Sequence, residues 1–234
     1  MTNTLHRFSE HYAVEPRPDP RPVEDDFIVF AMATRGVNDD RVADKFRTFL
    51  ELALRHNPVN LGDASKGGLY RADPALNPLA HWRRDDRPDP ERVLRELDGP
   101  STIAAVFRRW EDMEAFVEDL VKADLGLSVN ISAPMDAAAR CCRAAGLSRH
   151  SVEYSLGFQG RLERLPDRAV LEISTMCGHG MISHAFARKM VDWVKEGRRT
   201  PAQAARYLAR FCSCGVFNPH RAEALLERAR TGGA

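Results

Sequence analysis

The sequence predicts an α+β (or α/β) fold, with a mainly β layer of about five strands, packed helices, and a C-terminal helical hairpin subdomain. Three observations lead there. Short apolar runs alternate with helical periodicities between residues 27 and 176. From residue 177 onward the chain is punctuated by strong helix-start signals. A chain of 234 residues that is 44% hydrophobic is also long enough and apolar enough for a substantial core.

Taken in order, residues 1–26 read as a mobile arm, because the stretch from Pro16 to Asp26 is proline-rich and acidic. Phe27–Ala33 is a short apolar run and reads as a buried strand. Asp39 or Asp40 can cap the helix that follows, in which Val42, Phe46, Phe49, Leu50 and Ala53 recur at helical spacing up to His56. The glycine-rich stretch from Asn60 to Tyr70 reads as a loop. It carries Lys66 and has backbone N–H groups able to cradle a phosphate or carboxylate, although an ordinary connection has the same composition. Arg83–Pro90 reads as a polar surface excursion before a short helical run, Glu91–Leu97.

Thr102–Phe107 and Leu127–Ser132 read as strands, separated by a helix from Met113 to Ala123. Pro134 starts a helix that contains Cys141 and Cys142 and ends at Gly146. Val152–Phe158 and Ala169–Ser174 read as strands four and five, so residues 27–176 form one α/β sandwich domain. Residues 177–230 form a helical subdomain. In it a helix spans Met181–Lys195, Thr200 with Pro201 and Gln203 opens a second that stops at Gly215, and Asn218 with Pro219 opens a third. Residues 231–234 form a frayed tail.

Charge sets limits on partners. With 34 basic and 33 acidic residues the formal charge is +1, so no overall field recruits nucleic acid or anionic lipid, and no nucleic-acid partner is expected. No apolar run approaches the roughly 18–20 residues that span a bilayer. The first 26 residues hold no apolar stretch of the secretory kind, and the expectation is a cytoplasmic protein with reduced thiols. The expected partners are a small-molecule substrate and, through the proline-rich arm, another protein.

Cysteine and histidine concentrate the chemistry. Cys177-Gly-His179-Gly follows the expected fifth strand and precedes a helix, which would place Cys177 among unpaired N–H groups that favour thiolate. Cys212-Ser-Cys214-Gly lies at a turn between two helices, where both sulfurs can face one side. Together Cys177, Cys212 and Cys214 can close on one centre. Three thiolates fit a [4Fe–4S] iron–sulfur cluster with one iron open or bound by histidine. They equally fit a Cys₃His zinc site completed by His179, His184 or His220. The missing Cys-x₂-Cys knuckle of structural zinc tilts the reading towards iron–sulfur. Buried structural cysteines are the plain alternative.

A fourth cysteine ligand would have to be Cys141 or Cys142. His179 and His184 are the candidate catalytic acid/base residues, since imidazole titrates near neutral pH. The expected function is that of a cytoplasmic metalloprotein enzyme whose centre acts on a small molecule as Lewis acid or redox centre. Two other functions fit the same residues: a zinc-stapled interaction module, and a metal-free thiol enzyme using Cys177.

Overall fold

The structure, a computed structural model, describes residues 26–71, 88–152 and 160–232. Its elements run β1 (Phe27–Met32), α1 (Val42–Leu54), β2 (Asn60–Asp63), β3 (Gly67–Gly68), α2 (Pro90–Arg95), β4 (Thr102–Phe107), α3 (Trp110–Ala123) and β5 (Ser128–Ser132). Then come α4 (Met135–Ala144), a 3₁₀ turn at Leu162–Arg164, α5 (Arg168–Ser174), α6 (His184–Lys195), α7 (Pro201–Ala209) and α8 (Pro219–Thr231). The class is α+β. The sheet order is β3-β2-β4-β1-β5, and every neighbouring pair is antiparallel. β4 therefore lies between β1 and β2, and β1 between β4 and β5. Those are two interlocked split βαβ units, with α1 and α3 as crossovers.

Strand alternation divides the core. Phe27, Val29 and Ala31 of β1, with Ile103, Ala105 and Phe107 of β4, pack against α1 and α3 through Phe46, Phe49, Met113 and Phe116. Ile28, Phe30, Ala104 and Val106 point the other way, into a cluster with Ile173, Met190, Leu208 and Leu225 of α5 to α8. Both faces of the central strands are covered, which is why β1 reads as an unbroken apolar run. Register puts Asn60 opposite Val106, Gly62 opposite Ala104 and Gly68 opposite Gly62, so these three residues share the face that carries the C-terminal helices.

Three expected strands (β1, β4 and β5) and the helices α1 to α4 and α6 to α8 are present, with shifts at their ends. Thr200 and Gln203 form the complete capping box, and the Asn218 side chain accepts from Arg221 N–H. Several expectations are corrected. Ala169–Ser174 is the helix α5, not a strand. Asp167 caps it by accepting from Val170 N–H, and Arg168 pairs with Glu172 one turn on, at 3.1 Å. Val170–Ser174 are all buried, Glu172 and Ser174 included, so polar residues two apart imitate strand alternation on a helix without a solvent face.

Asn60–Tyr70 is not an open loop but contains the β2–β3 hairpin, and Lys66 pairs with Asp98. Neither Asp39 nor Asp40 caps α1. Arg41 holds that position with φ 45°, Asp39 accepts from Gly36 N–H, and Asp40 pairs with Lys45. The helix opened by Met181 starts at His184, and the one expected to stop at Gly215 ends at Ala209. Asp26, placed in the mobile arm, is fully buried. The rest of that arm falls outside the described residues, as does nearly all of the strand expected at Val152–Phe158.

Candidate metal centre

The seat of the site is the β2–β3 hairpin. A Cβ at Gly215 would stand 2.7 Å from Gly62 Cα, and one at Gly68 would stand 2.7 Å from Gly215 Cα. The Cys212–Gly215 turn thus lies backbone to backbone on the sheet, at a distance only glycine permits. Gly215 also has φ +72°. Asn60 Nδ2 donates to Phe217 O at 2.8 Å, while its Oδ1 accepts from Leu61 and Leu69 N–H. Asn218 Nδ2 donates to buried Asp26 at 3.1 Å, and the Arg221 guanidinium stands 4.0 Å from the same carboxylate. The turn is held from both sides before any metal is considered.

Opposite it, the chain leaves α5 and bends through Cys177 to Gly180, with Gly178 at φ 77° and Gly180 at φ 67°. The bend turns Cys177 Sγ and the His179 ring towards Cys214. The ligating atoms of Cys177, His179 and Cys214 all lie within 4.8 Å of one another. Cys212 stands outside that set, but its Sγ is 3.3 Å from Cys214 Sγ and receives Phe217 N–H at 3.3 Å. The three sulfurs are buried and His179 is exposed, so the imidazole closes the group on its solvent side.

The thiols interact as one unit. Hydrogen bonds from the Cys212 and Cys214 thiols hold Cys177 well below the ordinary thiol range, against the opposing effect of burial, and the His179 side chain and N–H add to them. Donating to that thiolate pushes Cys212 up to about 12, and it raises Cys214 as well. A bound cation favours deprotonation of all three, which is the usual linkage between metal and thiol. The arrangement can hold a metal ion.

Of the residues singled out by sequence, Cys177, Cys214 and His179 meet directly, and Cys212 touches Cys214. His184 caps nothing in this group: it is the exposed first residue of α6, and neither it nor His220 joins the set. Cys177 is not at a helix N-terminus. It follows the end of α5 and lies ahead of α6, so sulfur donors and the His179 N–H stabilise its thiolate rather than a helix dipole. Cys141 lies in the core on the opposite face of the sheet, where burial pushes its thiol up to about 12, and it cannot reach the centre. Asn60, Gly62, Gly68 and Asp26 escaped sequence reasoning as parts of the site. The available signal was the polar and glycine positions alternating on what proves to be a buried strand.

No family model matches this chain, and no curated protein or solved structure matches it either.

Proposed function

We propose that the protein is a zinc-stapled module in which Cys177, Cys212, Cys214 and His179 hold one tetrahedral ion. The observation that carries this reading is the approach of two sulfurs and an imidazole to within 4.8 Å from two separate bends of the chain, the one after α5 and the one between α7 and α8. Ligands at about 2.3 Å (sulfur) and about 2.0 Å (nitrogen) from a tetrahedral zinc stand roughly 3.5–4 Å from each other. Small movements bring the group to that spacing.

In a cubane cluster each thiolate sits on a different iron, and the sulfurs stand apart by the width of the cluster. Sulfurs in mutual contact support a single ion over the iron–sulfur centre that motif counting favours. Four protein ligands leave no open position, which supports a structural role over Lewis-acid catalysis. Such an ion ties the bend after α5 to the α7–α8 turn and so fixes the helical layer on the sheet.

The test is anaerobic purification with iron, sulfide and zinc analysis and a visible spectrum. One zinc per chain without colour is the expected result. Iron with sulfide and absorbance near 400 nm would replace the staple with the cluster enzyme. A metal-free protein in which only Cys177 reacts with iodoacetamide would replace it with thiol chemistry.

A further inference from the structure

The sulfurs at the centre do not arrive by equivalent routes. Cys212 and Cys214 share one turn, and their Sγ atoms stand 3.3 Å apart. Cys177 comes from the separate bend after α5. A disulfide holds its sulfurs at about 2.0 Å, so the pair on the turn has only about 1.3 Å left to close. The turn itself needs no metal to stay in place, because Gly215 lies against Gly62 and Gly68, and Asn60 Nδ2 donates to Phe217 O. A further link between the turn and the bend also ends on sulfur, where Ser213 Oγ donates to Met181 Sδ at 3.1 Å.

Exposure orders the three cysteines. Cys214 is 5% exposed, against 1% for Cys212 and 0% for Cys177. His179, Met181 and Ser213, which border Cys214, are all exposed. Hydrogen peroxide is little larger than water. Entering from that side, it meets Cys214 first and leaves Cys212 as the adjacent sulfur.

We propose that the centre is a redox switch: peroxide joins Cys212 to Cys214 in a disulfide, the ion leaves, and the bend after α5 is untied from a turn that stays seated on the sheet. This rests on the zinc reading above, in which the ion holds its sulfurs as thiolates. The Cys214 thiolate attacks one peroxide oxygen, the O–O bond breaks, and hydroxide leaves a sulfenic acid behind. The Cys212 thiolate then attacks that sulfur, so the S–S bond forms and a second hydroxide departs. Both hydroxides take protons from solvent. Two thiolates have lost two electrons, and one hydrogen peroxide has become two waters. Cys177 and His179 remain as two ligands, too few for a structural zinc. A dithiol reverses the step by exchange. A bridge that included Cys177 would do the opposite and lock the two segments together.

The experiment treats zinc-loaded, full-length protein with an equimolar amount of hydrogen peroxide and follows zinc release with a coloured chelator. The sample is then quenched in acid, alkylated and peptide-mapped before and after reduction. The expected result is loss of the bound zinc and a fall in free thiols from five to three. Cys212 and Cys214 should be alkylated only after reduction, and Cys177 before it. Dithiothreitol should restore zinc binding. Hydrogen exchange should quicken at residues 176–183 and stay unchanged at residues 60–68. Cys142, half-buried and in α4, is the control, and Cys142→Ser should release zinc as the parent does.

A starting protein without zinc overturns the staple reading, and the switch with it. Zinc that is present and retained after peroxide overturns the switch alone. A disulfide that includes Cys177, unchanged exchange at residues 176–183, or release that is lost in Cys142→Ser each overturns it as well.

Discussion

Replacing Gly215 by alanine should lift the cysteine turn off the sheet. Two costs add at this position. An L-residue at φ +72° costs roughly 1–2 kcal/mol. The new Cβ would stand 2.7 Å from Gly62 N and Cα and 2.9 Å from Leu61 C, all backbone atoms that cannot rotate away. Overpacking of that kind costs about 1–3 kcal/mol. The expected loss is therefore about 2–5 kcal/mol. Gly197 provides the control, because it has the same φ of +72° and nothing within 4 Å of a built Cβ. Gly197→Ala should cost only the conformational part, about 1–2 kcal/mol. Gly62→Ala tests the contact from the other side, since its Cβ would meet Gly68 Cα at 2.7 Å and Gly215 Cα at 3.0 Å. Urea denaturation in chelator measures the three losses without metal, and competition against a zinc dye then measures affinity. Zinc affinity should fall in Gly215→Ala and stay unchanged in Gly197→Ala. If Gly215→Ala costs no more than Gly197→Ala, the turn is not seated on the hairpin and the packing argument fails.

Three further outcomes follow from the same geometry. Cys177→Ser, Cys212→Ser and Cys214→Ser should each abolish stoichiometric zinc, whereas His179→Ala should retain it at reduced affinity, because the imidazole is the exposed member of the set; zinc retained at full affinity by any one of the serine variants would remove that sulfur from the centre. Asn60→Ala leaves Phe217 O and the Leu61 and Leu69 N–H groups to find other partners in a buried place, and should destabilise the metal-free protein by about 1–3 kcal/mol in urea. Cys141 titrates near 12 in the folded chain against an ordinary 9.0. The unfolded chain therefore releases this proton first, so the contribution is full below about pH 9 and falls by up to about 1.4 kcal/mol per pH unit as pH rises towards 12. Cys141→Ala should lack that part of the alkaline loss in denaturation curves taken from about pH 8.5 to about pH 10.5, a window that spans the ordinary value of 9.0 and stays below the folded one.

The legible parts of this fold were those where one local signal suffices. β1 and β4 are apolar runs buried on both faces, and Thr200-Pro201-Gln203 and Asn218-Pro219 carry their caps in sequence. The helix α5 resembles a strand in sequence because Glu172 and Ser174 lie two apart in a short buried stretch, so only its cap and the Arg168–Glu172 pair distinguish it. The hairpin at Asn60–Gly68 was misread for a different reason. Its glycines look like loop residues, yet they are glycine because another backbone, that of Gly215, lies against them. That is a long-range steric demand with no local trace. Cysteine clustering singles out Cys177, Cys212 and Cys214, but spacing in sequence says nothing of the distances between them. Distance came from Asn60, Asp26 and Asn218, which hold the turn and carry no metal-binding signature.

X-ray absorption at the zinc edge of the loaded protein tests the central claim most directly. A single ion held by three thiolates and one imidazole predicts about three sulfur scatterers near 2.3 Å and one nitrogen near 2.0 Å, with no metal neighbour. A shell of oxygen and nitrogen ligands without sulfur would contradict it, as would a protein that takes up only iron and shows iron–iron scattering.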